Sequence, residues 1–429
     1  PPSSGNTMSL AIVELNDQNL LIQTDQGLLH CEPGFAQLHS TGIETGERAR
    51  ATAWQQPQHS YNQYWRQLNQ LPLPSKQKWA RHHGDIAFAQ LKQLVEHAGS
   101  PERLILAVPG SCSDEQLSLL LGLVSAVPVQ VAAVIDSALA TCATETQSTV
   151  LVELQLHQTV VSLIDCRAGT LSLSQQETIP DLGIMQLHNA AARHISDRLV
   201  QDYRYDPMHN SEGEQAIYNQ LPQWLMQLGW EDKLNISLPS SQGDLKLVLH
   251  KHQIASLFEQ RLSSLSAILD RHSSAKLCFS HSASLIPAML SQFDDATVKA
   301  QSSAIDNCLG LQQQLCAEEL HRIKQLEQDG LNSQTGPAQS QTHQASHVLY
   351  KDQAYPLHRP LSLYLKDGKL SLTNSMDNQA EFVLVVESQQ LKILHQQNDL
   401  EVQLPNSCEP GQQLVVSGHK LRLIEVSNG

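Results

Sequence analysis

Acidic side chains at the ends of apolar runs are the feature of this sequence best suited to chemistry. Glu14 directly follows the run Leu10–Val13, and Glu153 lies within the run Val150–His157. Carboxylates at strand ends can hold Mg²⁺ through water, and the simpler interpretation is two acids solvated at the mouth of a cleft. We favour the simpler interpretation, so the sequence predicts no metal site.

Other reactive residue types show neither catalytic nor ligand spacing. The chain has no G-x-S-x-G, Walker lysine, H-E-x-x-H or C-x-x-C motif. Among the 20 histidines, His82–His83 and the pair His250 and His252 lack further ligands at metal spacing, which indicates structural or solvated roles. The eight cysteines are scattered along the chain, as is typical of reduced cytoplasmic thiols.

The charge balance argues against several classes of partner. The 429 residues include 28 Lys and Arg against 43 Asp and Glu, a net charge of -15. Because no basic stripe is present, we expect no binding to nucleic acid or to anionic lipid. No apolar run reaches membrane-spanning length and no signal-peptide pattern is found, so we expect a cytoplasmic protein. Pro1–Thr7, before Met8, is interpreted as an expression-tag remnant.

The stretch from Arg103 to Val200 alternates strands and helices. The apolar run Arg103–Val108 predicts a buried parallel strand, and Ser113 with Gln116 has the spacing of a capping box that opens a helix. A strand, a short helix, three strands and a long helix are then predicted at Val129–Ile135, Asp136–Thr144, Val150–His157, Thr159–Asp165, Thr170–Gln176 and Ile184–Arg204. The last three strands must be antiparallel, because their connections are too short for crossover helices.

Regular patterns also flank this stretch. An N-terminal hairpin is predicted from Leu10–Val13 and Leu20–Ile22, with Asn16–Asp17 as its turn, and a helix is predicted at Asp85–His97. On the C-terminal side, the patterns predict a helix opened by Ser211 and Glu214 and kinked at Pro222, a hairpin of Leu234–Leu238 with Leu245–Leu249, and a helix at His250–His272.

Five short segments have an order and spacing that are specific in combination. They are Leu106–Gln116, Val134–Ala140, Leu151–Gln158, Lys276–Pro287 and Ala304–Leu311. Together they resemble the signatures of DnaK-type chaperones, the heat-shock protein 70 family of the actin-like ATPase superfamily. The resemblance covers Leu10–Glu318. It implies an α/β, actin-like two-lobed fold over residues 8–328, with an upper-lobe insertion at about 205–275 and a nucleotide cleft between the lobes.

The same resemblance assigns individual positions to the nucleotide cleft. These positions lie in two phosphate loops, in catalytic segments that come between the two loops along the sequence, and in the adenosine motif. They are Glu14, Asn16, Asp17, Arg66, Asp136, Ser137, Glu153, Gln155, Leu156, His157, His281, Ser282 and Leu285. Ser137 stands where the family has the glutamate that orients the attacking water. Trp65 occupies the position of the family's lysine, and Arg66 is the next residue.

At each signature the chain lacks the atoms that nucleotide chemistry needs. The glycines that let backbone amides approach a phosphate are missing, and Asp17 would add a like charge facing the anion. Leu156 and His157 are expected to fill the place of a β-phosphate. We therefore predict no catalytic residue and no cofactor, with ATP and Mg²⁺ as the alternative.

The C-terminal part changes character. Residues 329–346 are polar and without periodicity, which indicates a flexible linker, and residues 347–429 alternate in short runs that predict an all-β sandwich. Glu409–Leu423 resembles the closing segment of forkhead-associated domains, which bind phosphothreonine. The arginine, serine and histidine pattern of those domains is missing, and Asn374–Ser375 is a faint substitute.

Three functions follow from these expectations. The favoured one is a chaperone-related, DnaK-like pseudo-ATPase that acts as a scaffold for protein partners. The first alternative is an active ATP-dependent chaperone or actin-like ATPase that uses Glu14, Asp136, Glu153 and Arg66. The second is a protein-docking module whose cleft binds a different small ligand.

Overall fold

The computed structural model describes most of the chain, and everything below refers to that part. It comprises residues 9–25, 27, 29–293, 295–316, 320–328, 345–351, 353–357, 360–366, 368–377, 379–387, 390–397, 400–405, 408 and 410–425. Pro1–Thr7, which the sequence suggested is a tag remnant, and residues 329–344 of the predicted linker lie outside the described residues. The chain divides into two units, residues 1–225 with 235–333, and residues 226–234 with 334–429.

Most strands before residue 329 belong to two large sheets. The strands are β1 Leu10–Glu14, β2 Leu20–Thr24, β3 Leu29–Glu32, β4 Ala36–Leu38, β5 Ile43–Thr45, β6 Ser60–Tyr61, β7 Arg103–Val108, β8 Gln130–Asp136, β9 Thr149–Leu154, β10 Gln158–Arg167, β11 Thr170–Pro180, β12 Lys233–Ser240, β13 Gly243–His250, β14 Lys276–Phe279, β15 Thr297–Val298, β16 Arg322–Ile323 and β17 Gln325–Glu327.

The helices of this part of the chain connect and cover those strands. They are α1 Glu47–Arg50, α2 His83–His97, α3 Asp114–Val124, α4 Ser137–Thr141, α5 Ile184–Tyr203, α6 Ser211–Trp230, α7 Lys251–Arg261, α8 Ser263–Asp270, α9 His281–Ser284, α10 Pro287–Gln292, α11 Ser303–Gly310 and α12 Gln312–Leu315. Short 3₁₀ turns lie at Pro57–His59 and Pro207–His209.

The two six-stranded sheets share one plan. The first sheet has the order β16-β8-β7-β1-β2-β3, and the second has the order β15-β14-β9-β10-β11-β17. In each, a first strand (β1 or β9) begins an antiparallel meander on one side and pairs with a parallel strand (β7 or β14) on the other. The smaller sheets are β5-β4-β6 and the hairpin β12-β13.

The first sheet is buried on both faces, as parallel strands require. Ala11 and Val13 of β1 pack in one apolar cluster with residues of α2 and α3. Leu10 and Ile12, on the other face, pack in a second cluster that includes residues of α4 and α11 and Leu151 of β9. The second cluster therefore joins the two large sheets.

Local patterns were reliable guides to the elements. The strand Arg103–Val108, the capping box of Ser113 and Gln116, the meander β9-β10-β11 and the helix from Ile184 are confirmed. Two details were wrong. Asn210, not Ser211, caps α6, since its Oδ1 accepts from the Gly213 amide at 2.5 Å. The helix predicted at His250–His272 is interrupted at Leu262, where Ser263 and Ser264, weak helix formers, follow.

The described residues after 344 form two antiparallel sheets. Their strands are β18 His347–Tyr350, β19 Gln353–Pro356, β20 Leu361–Lys366, β21 Lys369–Thr373, β22 Phe382–Glu387, β23 Gln390–Gln396, β24 Val402–Gln403, β25 Gln413–Val416 and β26 His419–Ile424. The orders are β19-β18-β26-β25-β24 and β21-β20-β22-β23. Both sheets contribute to one apolar cluster, which includes Val348, Leu361, Phe382 and Leu421. The strand β19 was not predicted, because its residues Gln-Ala-Tyr-Pro do not alternate clearly.

Candidate functional site

Side chains from two connections converge on the last carbonyl group of β9. The Leu154 carbonyl accepts from Asn16 Nδ2 at 3.1 Å and from Ser282 Oγ at 3.0 Å. Asn16 lies in the β1–β2 turn and Ser282 in α9, directly after β14. These contacts, with the one made by Asp17 below, are called the turn junction. Its position follows from the sheet plan, because β9 and β14 are parallel and end at the same edge.

Asp17 completes the turn junction with its carboxylate. The Leu156 amide donates to Asp17 Oδ1 at 2.8 Å, and Asp17 is only 5% exposed. Burial raises the pKa of Asp17 to about 6, opposed by the hydrogen bond from Leu156 and the charge of Arg66. Asp17 therefore bonds to an amide of the loop that the resemblance assigns to phosphate. The expectation of a turn at Asn16–Asp17 is confirmed, since Asn16 Oδ1 accepts from the Gln18 amide at 3.0 Å.

The β9–β10 turn also occupies the N-terminus of α5. The Ile184 amide donates to the Gln155 carbonyl at 2.9 Å, and the Met185 amide donates to the Leu156 carbonyl at 2.8 Å. The first amides of a helix have no partner within the helix and commonly bind anions. Here the chain itself satisfies two of them. Gly183 permits the contact, because a Cβ there would lie 2.5 Å from both the Gln158 amide nitrogen and the Leu156 carbonyl oxygen.

Leu156 and His157 are both buried at this turn. His157 Nε2 lies 3.1 Å from Asn62 Oδ1 and 3.2 Å from the Asn62 carbonyl oxygen, and Nδ1 lies 3.4 Å from Gln186 Nε2. Burial, helped by the positive charge of Arg66, lowers the pKa of His157 to about 4. His157 is therefore neutral at physiological pH and contributes hydrogen bonds rather than charge.

Asp136 is fully buried and surrounded by donors. Arg322 Nη2 donates to its Oδ2 at 2.7 Å, and Gln176 Nε2 lies 3.2 and 3.1 Å from its two oxygens. The Ala138 amide donates to Oδ1 at 3.0 Å, so Asp136 also caps α4. Both oxygens are thus occupied by protein groups.

Arg322 is a residue of this centre that the sequence patterns did not indicate. It lies on the two-residue strand β16, which pairs with β8 two residues before Asp136. Its guanidinium also donates to the carbonyls of Cys112 at 2.7 Å and Pro109 at 3.0 Å. No local motif signals this role, because the partners of Arg322 lie 186 to 213 residues earlier in the chain.

Among the described residues, Glu14 and Glu153 have no such basic partner. Glu153 is 3% exposed; its Oε1 accepts from Ser137 Oγ at 3.1 Å, and its Oε2 is buried with no hydrogen-bond partner in the described part of the chain. Glu14 is half-buried as a residue, yet no described group bonds to its buried Oε2 either. Burial raises the pKa of Glu14 to about 7, and burial with the charges of Asp136 and Glu14 raises that of Glu153 to about 8. The expectation that both acids are solvated at a cleft mouth is therefore wrong.

The remaining predicted positions lie around this centre. Arg66 Nη1 donates to Asp181 Oδ1 at 3.3 Å and lines a cavity that Asp17 also lines. Ser137 begins α4, and its hydroxyl bonds to Glu153. Gln155 exchanges hydrogen bonds with Ser111 at 3.0 and 3.1 Å. His281 begins α9 and Leu285 follows it, both half-buried.

Little empty space is left beside these groups. One cavity of about 30 Å³ lies beside Asp17, and another of about 30 Å³ is lined by Glu14, Asn16, Ser282 and Lys299. Ligand pockets typically measure roughly 300–1,000 Å³. Among the described residues, no three His, Cys, Asp or Glu side chains are grouped to hold a metal ion.

Comparison with known proteins adds no assignment. No family model matches the chain, and no curated protein matches it. Within the described part of the chain, the helices are all too short or too polar to cross a membrane.

Proposed function

We propose that residues 8–328 form an actin-like, DnaK-type domain whose nucleotide cleft is closed by the chain's own side chains, and that the protein is a non-catalytic scaffold. In this proposal the domain is a pseudo-ATPase that holds protein partners in the cytoplasm. The two large sheets support the fold, since each pairs a meander with parallel strands, as in a duplicated two-lobed domain.

The observation that carries the proposal is the turn junction. A phosphate would need the amide of Leu156 and the space beside the Leu154 carbonyl. That amide already donates to Asp17, and that carbonyl already accepts from Asn16 and Ser282. A nucleotide would have to break these buried hydrogen bonds and displace a carboxylate, and each buried group left unsatisfied costs about 1–3 kcal/mol.

The electrostatics point the same way. An active ATPase would use Asp136 and Arg66, yet Asp136 is ion-paired with Arg322 at 2.7 Å and Arg66 with Asp181 at 3.3 Å. Burial raises the pKa of Glu14 and Glu153, which disfavours the ionised form that Mg²⁺ prefers as a ligand. Cavities of about 30 Å³ also give little support to a different small ligand in the cleft.

The C-terminal sheets complete the proposed scaffold. We assign residues 347–429 to a β-sandwich with a forkhead-associated-like closing segment, supported by the two antiparallel sheets that share one apolar cluster. Asn374, the faint substitute for a phosphopeptide-binding residue, donates from Nδ2 to the Pro356 carbonyl at 2.7 Å. This bond favours a structural role for Asn374, and a protein surface rather than a phosphothreonine is the proposed ligand.

The deciding experiment is a titration with ATP and with ADP, each with Mg²⁺, followed by melting temperature and by phosphate release. We expect no shift and no hydrolysis above buffer. A ligand at a hundred times its dissociation constant would add about 2.7 kcal/mol of stability, a shift that is easily measured. An upshift that disappears in Asp136→Ala would overturn the proposal and support the ATPase.

A further inference from the structure

Helix α6 is bonded to the chain that follows β5 by groups from both sides of the contact. The Trp54 amide donates to Gln215 Oε1 at 2.9 Å, and Gln215 Nε2 donates to the Arg50 carbonyl at 3.2 Å. Arg50 Nη2 in turn donates to the Tyr218 carbonyl at 3.0 Å. Gln215 is only 2% exposed, so its amide serves these two backbone groups away from solvent. We call this contact the aromatic clasp; its residues are Arg50, Trp54, Gln215 and Tyr218.

Two stacked rings accompany these hydrogen bonds. The centroids of the Trp54 and Tyr218 rings are 4.0 Å apart, and the ring planes differ by 7°. The Tyr218 hydroxyl donates to Asn189 Oδ1 at 2.6 Å, which connects the stack to α5. On the other side, the Phe35 ring centroid lies 5.9 Å from that of Trp54. A stacked aromatic pair shifts an equilibrium by roughly 2- to 10-fold beyond the effect of the area it buries.

The aromatic clasp joins elements that belong to different large sheets. On one side, β5 pairs with β4, and β4 packs in the same apolar cluster as β1 of the first sheet. On the other side, α5 contacts the β9–β10 turn of the second sheet through the Ile184 and Met185 amides. The bonded residues are 161 to 168 positions apart in the chain. The clasp is therefore a second connection between the two sheets, made by residues separate from the turn junction.

We propose that the aromatic clasp holds the two large sheets in their closed arrangement without any ligand, so that the resting state of the chain is closed. Ligand-driven closure needs an open resting state whose population the ligand shifts. Here the chain itself supplies the amides, the carbonyls, the guanidinium and the rings that bridge the two sides. The proposal goes beyond the lack of a nucleotide site, because none of the clasp residues belongs to the turn junction.

The hydrogen bonds and the stack can be removed separately. Gln215→Ala leaves the Trp54 amide and the Arg50 carbonyl without their partner, and Trp54→Ala removes the stack on Tyr218. Trp54→Phe keeps a ring at this position and should keep the chain closed. The control Trp79→Ala removes an indole that is 44% exposed and takes no part in the clasp.

The test measures a distance across the clasp in the full chain by double electron–electron resonance. Spin labels are attached through p-acetylphenylalanine at positions 58 and 220, where Gln58 and Gln220 are exposed, so the native cysteines stay unlabelled. The wild type, Trp54→Phe and Trp79→Ala should each give one narrow distance distribution, with or without ATP and Mg²⁺. The double variant Trp54→Ala/Gln215→Ala should add a longer distance, with the open fraction raised at least about tenfold.

A measurement on the wild type covers the case of variants that fail to fold. Its Trp54 amide should exchange with solvent at least about 100-fold more slowly than an unprotected amide, since it donates to a buried side chain. Fast exchange, a wild-type distance that shortens with ATP, or a double variant with the wild-type distribution would overturn the proposal. ATP binding without a change in distance would contradict the proposed pseudo-ATPase but support the clasp.

Discussion

Asp136 and Arg322 show how one side chain decides what a buried carboxylate can bind. Asp136 is 0% exposed, and Arg322 supplies the positive charge that this buried carboxylate would otherwise need from a bound cation. Among the described residues no basic side chain is bonded to Glu14 or Glu153, and burial raises the pKa of both. Three acids at strand ends thus have two different environments, and the difference is set by their contacts rather than by residue type.

Removing the guanidinium should be costly. In Arg322→Gln, Asp136 keeps its buried charge without a counter-charge, and the carbonyls of Pro109 and Cys112 lose a donor. We expect a loss of about 3–5 kcal/mol in the free energy of unfolding at pH 7, measured with urea. Combining Arg322→Gln with Asp136→Asn should recover part of the loss.

The matched control is Arg271→Gln. Arg271 is paired with Glu177 at 2.8 Å, but its side chain is 57% exposed. An exposed pair contributes about 0–1 kcal/mol, so this variant should unfold almost as the wild type does. Equal losses for the two arginine variants would contradict the role assigned to Arg322.

A second residue-scale prediction concerns acid stability. Because the pKa of His157 is lowered to about 4 in the folded chain, the unfolded chain takes up a proton first as the pH falls from about 6.5. Stability present above pH 6.5 is therefore lost as the pH falls towards 4. His157→Gln should flatten this part of the pH profile of the unfolding free energy. His209→Gln, whose side chain is 86% exposed, should leave the profile unchanged.

At the scale of elements, the decisive contact is between the β9–β10 turn and the first turn of α5. Helix amides that commonly bind anions donate to the carbonyls of Gln155 and Leu156. The contact requires a glycine at position 183, because a Cβ there would lie 2.5 Å from backbone atoms of the turn. With the Ile184 and Met185 amides bonded to its own chain, this helix start offers fewer donors to a phosphate.

Gly183→Ala should push α5 away from this turn. The new Cβ would meet backbone atoms at 2.5 Å, which cannot rotate aside, so we expect a loss of about 1–3 kcal/mol. Hydrogen exchange of the Ile184 and Met185 amides should accelerate. Gly122→Ala in α3 is the control, since its Cβ meets nothing within 4 Å, and it should stabilise by about 0.5–1 kcal/mol. Unchanged exchange in Gly183→Ala would show that the turn does not hold the helix.

At the scale of the whole molecule, each unit has its own apolar interior. The cluster that includes Leu151 and Cys308 joins the two large sheets, whereas the cluster that includes Val348 and Leu421 is built only from residues after 344. A unit with a separate core can fold alone if enough apolar surface is buried.

We therefore expect residues 345–429, expressed alone, to fold cooperatively. Their heteronuclear NMR spectrum should be well dispersed and should overlay the corresponding resonances of the full chain. Leu361→Ala, which empties a fully buried site, should reduce the stability of the fragment by about 2–5 kcal/mol. A collapsed spectrum would show that residues 345–429 need the rest of the chain, including residues 226–234 of their unit.

Local sequence determined most of the elements. The strand at Arg103–Val108, the cap at Ser113 and the meander from Thr149 could be predicted because apolar periodicity, capping spacing and short connections act between near neighbours. Capping signals were less decisive where two neighbouring residues could both cap a helix. Asn210 and Ser211 are both good N-cap residues for α6, and Asn210 is the one that caps it.

Only the tertiary structure decided the state of the site. The sequence by itself indicated that the phosphate-loop glycines are missing, and it located Glu14, Asp17, Asp136 and Glu153. It did not indicate that Arg322 would pair with Asp136, 186 positions earlier, or that Asp17 would accept from Leu156, 139 positions later. Such partners are chosen by the packing of two sheets, and burial between them sets each charge, because removing water makes an unpaired carboxylate far less stable than a paired or protonated one.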